Sequence, residues 1–202
     1  MDFQLQPLTP YDSVRLPLLI PILITIFMSN VSFANDFVTL PVPEGWRMEN
    51  TAYPPPWAKS LPWKGSLQLR FPEGFFDKDD DFFWSYPILY QLHGNVIKTD
   101  EELKRALLEY DIGLYGGRYP KEKVTIDMSN GKHAKGHSVV VINGYDPFTT
   151  KASLRTWIHV DRRYDSKSDR TVILLLRSAQ PFNLDNPVWK ELRTFRGKVG
   201  FK

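Results

Sequence analysis

The chain has 202 residues, 42% of them hydrophobic and 24% charged, which is enough length and apolar content for one domain with a sizeable core. A formal charge of +3, without any Arg/Lys run or basic stripe, argues against nucleic acid as a partner. Cysteine is absent, which excludes disulfides, thiol nucleophiles, Cys-type zinc sites and Fe–S clusters.

The N-terminus reads as an address. Arg15 precedes an apolar run over residues 16–28, and Ser32-Phe33-Ala34 follows as a small-x-small cleavage pattern. Residues 1–34 are therefore expected to be a secretory signal peptide, cut before Asn35. The clean apolar run is about a dozen residues, short of the roughly 20 that a spanning helix needs, and Pro17 and Pro21 interrupt it. The expected product is exported, periplasmic or secreted, with no stable membrane insertion after cleavage. Residues 35–202 are expected to form a single α+β domain.

Residues 37–42 (FVTLPV) alternate enough for a first strand that ends at Pro41 and Pro43. Over residues 53–63, Pro54, Pro55, Pro56 and Pro62 interleave with Tyr53, Trp57 and Trp63. Consecutive prolines favour polyproline II, so this stretch is expected to be an extended arm. It either docks a partner or glycan or packs its aromatics on its own sheet. Residues 66–71 (SLQLRF) alternate with period two, placing Leu67, Leu69 and Phe71 on one face. A strand over residues 82–92 would place Phe82, Trp84, Tyr86, Ile88, Tyr90 and Leu92 together, although Pro87 disfavours a central position.

The clearest helix spans residues 99–114. Thr99 and Glu102 make a capping box; Leu103, Ala106, Leu107, Tyr110 and Leu114 form one apolar stripe, and Gly116-Gly117 stops it. Asn130-Gly131 signals a hairpin. Three aliphatic runs follow, over residues 138–142, 154–160 and 171–176, separated by turn-rich segments. They predict a β-meander at the middle of an antiparallel sheet. Asn186 as cap and Pro187 at the first helical position open a closing helix whose inward stripe is Val188, Leu192 and Phe195. The expected fold is α+β, a single antiparallel sheet flanked by two main helices.

Chemistry is harder to find. Asp77, Asp79 and Asp81 copy the opening of a calcium loop, but Phe82 stands where glycine is needed and Ile88 where a bidentate Glu is needed. A solvated turn is expected there. His133 and His137 lie four apart, about 13 Å along a strand, too far for one ion. If Asn143 pairs with Leu154, however, His159 falls beside His137, and a metal site of His137, His159 and Asp161 becomes conceivable. The other reading makes these polar residues of the less buried face, along with Arg155 and Trp157. No Gly-x-Ser-x-Gly elbow is present. Gly113-Leu114-Tyr115-Gly116-Gly117 follows a helix, where a phosphate cradle would precede one. Glu73 and Asp77 are available for paired-carboxylate chemistry, but nothing in the sequence sets their separation.

The element order, with Glu44-Gly45-Trp46 early, a long helix capped at Thr99, a meander and a closing helix carrying Trp189 and Phe195, resembles the PsbP/Mog1-type α/β/α sandwich over about residues 37–199. The resemblance implies an accessory or partner-binding role. Residues 71–86 (FPEGFFDKDDDFFWSY) also resemble a stretch of uncharacterised exported bacterial proteins. The leading expectation is a non-catalytic binding or accessory module for an unknown protein or envelope ligand, needing no cofactor. Its candidate binding residues are Tyr53, Trp57, Trp63, Arg155 and Trp157. The alternative is a cell-envelope hydrolase, metal-dependent through His137 and His159.

Overall fold

The computed structural model describes residues 38–128 and 137–201. Within them, seven strands build one antiparallel sheet: β1 (Arg47–Tyr53), β2 (Gly65–Phe71), β3 (Tyr86–His93), β4 (Thr125–Asp127), β5 (His137–Tyr145), β6 (Ser153–Asp165) and β7 (Arg170–Ser178). Two α-helices accompany them, α1 (Asp100–Tyr115) and α2 (Pro187–Lys198). The sheet order is β1-β2-β3-β7-β6-β5-β4. The expected meander is β5-β6-β7, and β1-β2-β3 forms a second one. They join where β3 pairs with β7, from Tyr86↔Arg177 to His93↔Arg170, so early and late parts of the chain share the sheet centre.

Each helix has its own apolar face to cover. Ile88, Tyr90 and Leu92 of β3 and Ile173 and Leu175 of β7 pack with Leu103, Ala106, Leu107 and Tyr110 of α1. The alternate residues Leu89, Val172, Leu174 and Leu176 pack with Val188, Trp189, Leu192 and Phe195 of α2. Strand β7 is buried on both sides, which is why it reads as an unbroken aliphatic run and does not alternate. Both helix starts follow their local signals. Thr99 Oγ1 accepts from the Glu102 amide at 3.1 Å while Glu102 Oε2 accepts from the Thr99 amide at 3.0 Å. Asn186 Oδ1 accepts from the Val188 amide at 2.8 Å, ahead of Pro187. Helix α1 ends at Gly116, whose φ of 58° is left-handed.

Four expectations need correction. Residues 38–42 are not a strand; they cross the α2 side of the sheet, held by side chains. Gln68 Oε1 accepts from the Leu40 amide at 2.9 Å, and Arg70 Nη2 donates to the Leu40 carbonyl at 2.7 Å. Gln91 accepts from the Val38 amide at 2.9 Å and donates to its carbonyl at 2.7 Å. Prolines 41 and 43 cannot donate to a ladder, and these buried side chains satisfy the backbone in its place.

The segment 53–63 is not an extended arm. Turns close from the Ala58 amide to the Pro55 carbonyl and from the Leu61 amide to the Ala58 carbonyl. Burial of Ala58 and Leu61 in the α1-side core overrides the polyproline preference.

Strand β3 begins at Tyr86, later than expected, because residues 81–84 are turn and Trp84 has a φ of 52°. Phe82 therefore joins the α2-side core while Trp84 joins the α1 side. β3 is nonetheless central, and its pairing with β2 stops at Leu69↔Ile88, just before Pro87.

Finally, the β5–β6 register differs by one residue from the expected one: Asn143 pairs with Arg155, and Gly144 with Leu154. The hairpin closes at Tyr145↔Ser153 over a loop that Asp146 organises. Asn130-Gly131, His133 and the expected signal peptide lie outside the described residues. Among the described residues, no helix is long and apolar enough to cross a membrane.

Candidate functional site: an aromatic cavity beside the end of α1

Four pieces of chain converge beside the last turn of α1: the β1–β2 edge, the 53–63 segment, the 73–76 turn and the loop after β5. They enclose a cavity of about 420 Å³. Leu69, Phe75, Tyr86 and Tyr110 are its buried walls, and Trp57 closes one side. Glu49, Gly116, Arg118 and Phe148 form its exposed rim. Trp57 meets Tyr110 edge-on, with ring centroids 5.7 Å apart, and Phe75 meets Tyr86 at 5.0 Å. Phe148 stacks on Trp84 at 5.7 Å. Such contacts fix large apolar walls in few rotamers.

Gly113 lets Trp57 reach the helix. A Cβ at Gly113 would stand 2.0 Å from the Trp57 carbonyl oxygen, so no other residue allows this approach. Behind the wall, Arg177 of β7 grips Asp111 of α1, Nη1 to Oδ1 at 2.6 Å and Nη2 to Oδ2 at 2.7 Å. Tyr115 donates to the same carboxylate at 2.9 Å. Burial alone would discharge Arg177, but the Asp111 charge outweighs it and holds the guanidinium well above its ordinary pKa. Burial pushes the Tyr86 hydroxyl up to about 12 and that of Tyr110 well above its ordinary value. Both stay neutral at physiological pH and serve as walls rather than bases.

Opposite, Arg118 ties the end of α1 to the loop after β5. Its Nε donates to the Tyr115 carbonyl and its Nη1 to the Pro147 carbonyl, each at 3.2 Å. The loop is shaped by Asp146, which is fully buried. Its carboxylate accepts from the amides of Phe148, Thr149 and Thr150 at 2.9, 3.1 and 2.6 Å, and from the Thr150 hydroxyl at 2.9 Å. Burial pushes this carboxyl up, but the bonds from Thr150, Phe148 and Thr149 prevail and hold it below its ordinary value.

The residues singled out from the sequence separate into two places. Trp57 lines the cavity. Tyr53 is 2% exposed and packs on Tyr90 at 4.9 Å, while Trp63 is half-buried against the same core. Neither offers the free docking surface that an extended arm would. Arg155, Trp157, His159 and Asp161 do share one face of β6, but that face lies toward α2. His159 and Asp161 are 6% and 0% exposed, which corrects their placement on a less buried side. Arg155 is exposed and donates to Asn143 Oδ1 at 2.7 Å, and Trp157 packs beside the α2 core.

The ladder sets His137 opposite Asp161 and Val139 opposite His159. Asp161 is engaged by Arg196 of α2, with Nε to Oδ2 at 2.8 Å, so ligating a metal would cost an ion pair. Among the described residues, no group of three His, Asp or Glu is placed to hold a metal ion; the His137 side chain lies outside them. Near the acidic loop, a broader hollow of about 700 Å³ is lined by Glu73, Asp77, Lys78, Asp79 and both Thr149 and Thr150, with Phe76 as its apolar member. It is too open to bury a ligand.

Sequence reasoning passed over Glu49, Asp111, Arg118, Phe148 and Arg177. Only Asp111 left a trace: it sits four residues after Leu107, on the apolar stripe of α1. Compared with known proteins, the chain matches no family model, no curated protein and no solved structure.

Proposed function

We propose that the protein is an exported, non-catalytic binding module that takes a small, largely apolar ligand into the cavity beside α1. The observation that carries this reading is the cavity itself: aromatic walls from separate stretches of the chain, held rigid from behind by the Asp111–Arg177 pair. Its walls bring together no nucleophile and base, and their tyrosines are neutral. Export is supported by the order of Arg15, the apolar run and Ser32-Phe33-Ala34. The resemblance in element order to PsbP/Mog1-type partner-binding proteins points the same way.

The test is thermal unfolding of the full-length protein against small aromatic compounds and cell-envelope fragments. A ligand of the folded state raises the midpoint with its concentration. Leu114→Trp, which fills the cavity, should abolish that rise. Equal stabilisation of wild type and the filled variant would rule out the cavity as the site. N-terminal sequencing of the protein recovered from cells should begin at Asn35 if the leader is cut.

A further inference from the structure

The rim of the cavity carries two opposite charges that the fold leaves incompletely used. Among the described residues the Glu49 side chain of β1 has no hydrogen-bond or ion-pair partner, and its surroundings desolvate it enough to raise its pKa although the residue is exposed. Arg118 is the converse. Two of its nitrogens are pinned by the Tyr115 and Pro147 carbonyls, leaving Nη2 without an acceptor among the described residues on a guanidinium that is already oriented. Between these charges the lining is apolar and aromatic, and the buried indole N–H of Trp57 has no partner among the described residues.

An uncharged apolar occupant would close over this rim and withdraw both charges further from water. Burying an uncompensated charge is expensive, and the cost would oppose binding. An occupant with matching charges reverses that sign, because each rim group then gains a charge-assisted hydrogen bond. Arg118 is held in place by backbone carbonyls, so little side-chain entropy is lost when its free nitrogen is used. The partners sought are a cation for Glu49, an anion for Arg118 and an aromatic body for the walls.

From this we infer that the cavity binds a zwitterion of the aromatic amino-acid type, its ammonium at Glu49, its carboxylate at Arg118 and its ring against Trp57, Phe75 and Tyr110. The inference rests on the cavity being the binding site, and it specifies the ligand class.

Four probes that share one ring test it by calorimetric titration of the full-length protein: indole, tryptamine, indole-3-propionate and tryptophan. Tryptophan should bind tightest, with each matched charge worth roughly tenfold over indole. Glu49→Gln should weaken tryptamine and tryptophan while sparing indole and indole-3-propionate. Arg118→Met should weaken the two carboxylates and spare tryptamine. Unchanged indole affinity shows in either variant that the walls are intact; if Arg118→Met loses indole too, the Glu49→Gln series decides alone. Indole binding with no gain from either charge overturns the zwitterion and leaves the cavity standing. If no probe binds, both readings fall.

Discussion

Asp111 and Arg177 meet as a two-point ion pair with contacts of 2.6 and 2.7 Å, their side chains 1% and 3% exposed. On the opposite side of the sheet, Arg196 and Asp161 meet at 2.8 Å. The two helices thus dock through the same chemistry with the polarity exchanged: α1 brings the acid to the sheet, and α2 brings the base. Swapping either helix to the other face would leave like charges buried together. The pairs therefore specify which helix covers which face, beyond what two apolar stripes can do.

Removing one member of the α1 pair should be far worse than removing both. Asp111→Ala leaves Arg177 charged in the core and should cost about 3–5 kcal/mol in urea unfolding. Asp111→Leu combined with Arg177→Met should cost much less than the sum of the single changes. Additive losses would show that the pair contributes nothing as a unit.

At Gly113, helix propensity and packing oppose each other. Alanine in a helix interior is favoured over glycine by about 1 kcal/mol. Its methyl group would stand 2.0 Å from the Trp57 carbonyl, so the 53–63 segment must move. Gly113→Ala should therefore lower stability by roughly 1–3 kcal/mol despite the better propensity. It should also expose Trp57, seen as a red shift of its fluorescence in a background lacking the other tryptophans of the cavity region. A more stable variant with unchanged emission would mean that the close approach is dispensable.

The segment over residues 38–40 depends on Arg70, which is 1% exposed and has, among the described residues, only neutral acceptors, the Leu40 and Leu69 carbonyls, Asn50 and Gln68. Burial lowers its pKa to about 10, which leaves it charged at neutral pH. Arg70→Met should cost about 1–3 kcal/mol, since acceptors are orphaned while an awkward charge is removed. Amide exchange at Val38 and Leu40 should accelerate before the sheet amides do. Uniform acceleration across β2 and β3 would instead place Arg70 in the global core.

Acid should loosen the loop after β5. The Asp146 pKa is depressed in the folded protein, so its contribution is present above the ordinary carboxylate value of 3.8 and lost as pH falls from there through the folded value. Stability measured at successively lower pH should fall in that window. The fall should be smaller in Asp146→Ala, which is already destabilised at neutral pH. Identical acid profiles would assign the effect to other carboxylates.

Much of the fold was legible because its causes are local. The Thr99–Glu102 capping box, the Leu103–Ala106–Leu107–Tyr110 stripe, the Asn186-Pro187 start and the aliphatic runs of the meander each depend on residues a few positions apart, and each lies where its pattern placed it. Local periodicity could not show that both faces of the sheet are covered. Gln68, Arg70 and Gln91 look like a solvent face in one dimension, yet they are buried because residues 38–40 return across them. A single-residue difference in register, with the hairpin closing over Asp146, set His137 opposite Asp161 where the expected pairing would have set it opposite Val160.

The cavity belongs entirely to this second class. Trp57 lies against α1 because position 113, far along the chain, has no side chain. Asp111 is buried because Arg177, 66 residues away, neutralises it. Composition and spacing determined both helices with their caps, the strands of the meander and the chemistries that lack their residues. Only the tertiary structure decided which polar groups are paired, which aromatics surround a space and which charges stand at its mouth, because those energies arise between segments that the sequence keeps apart.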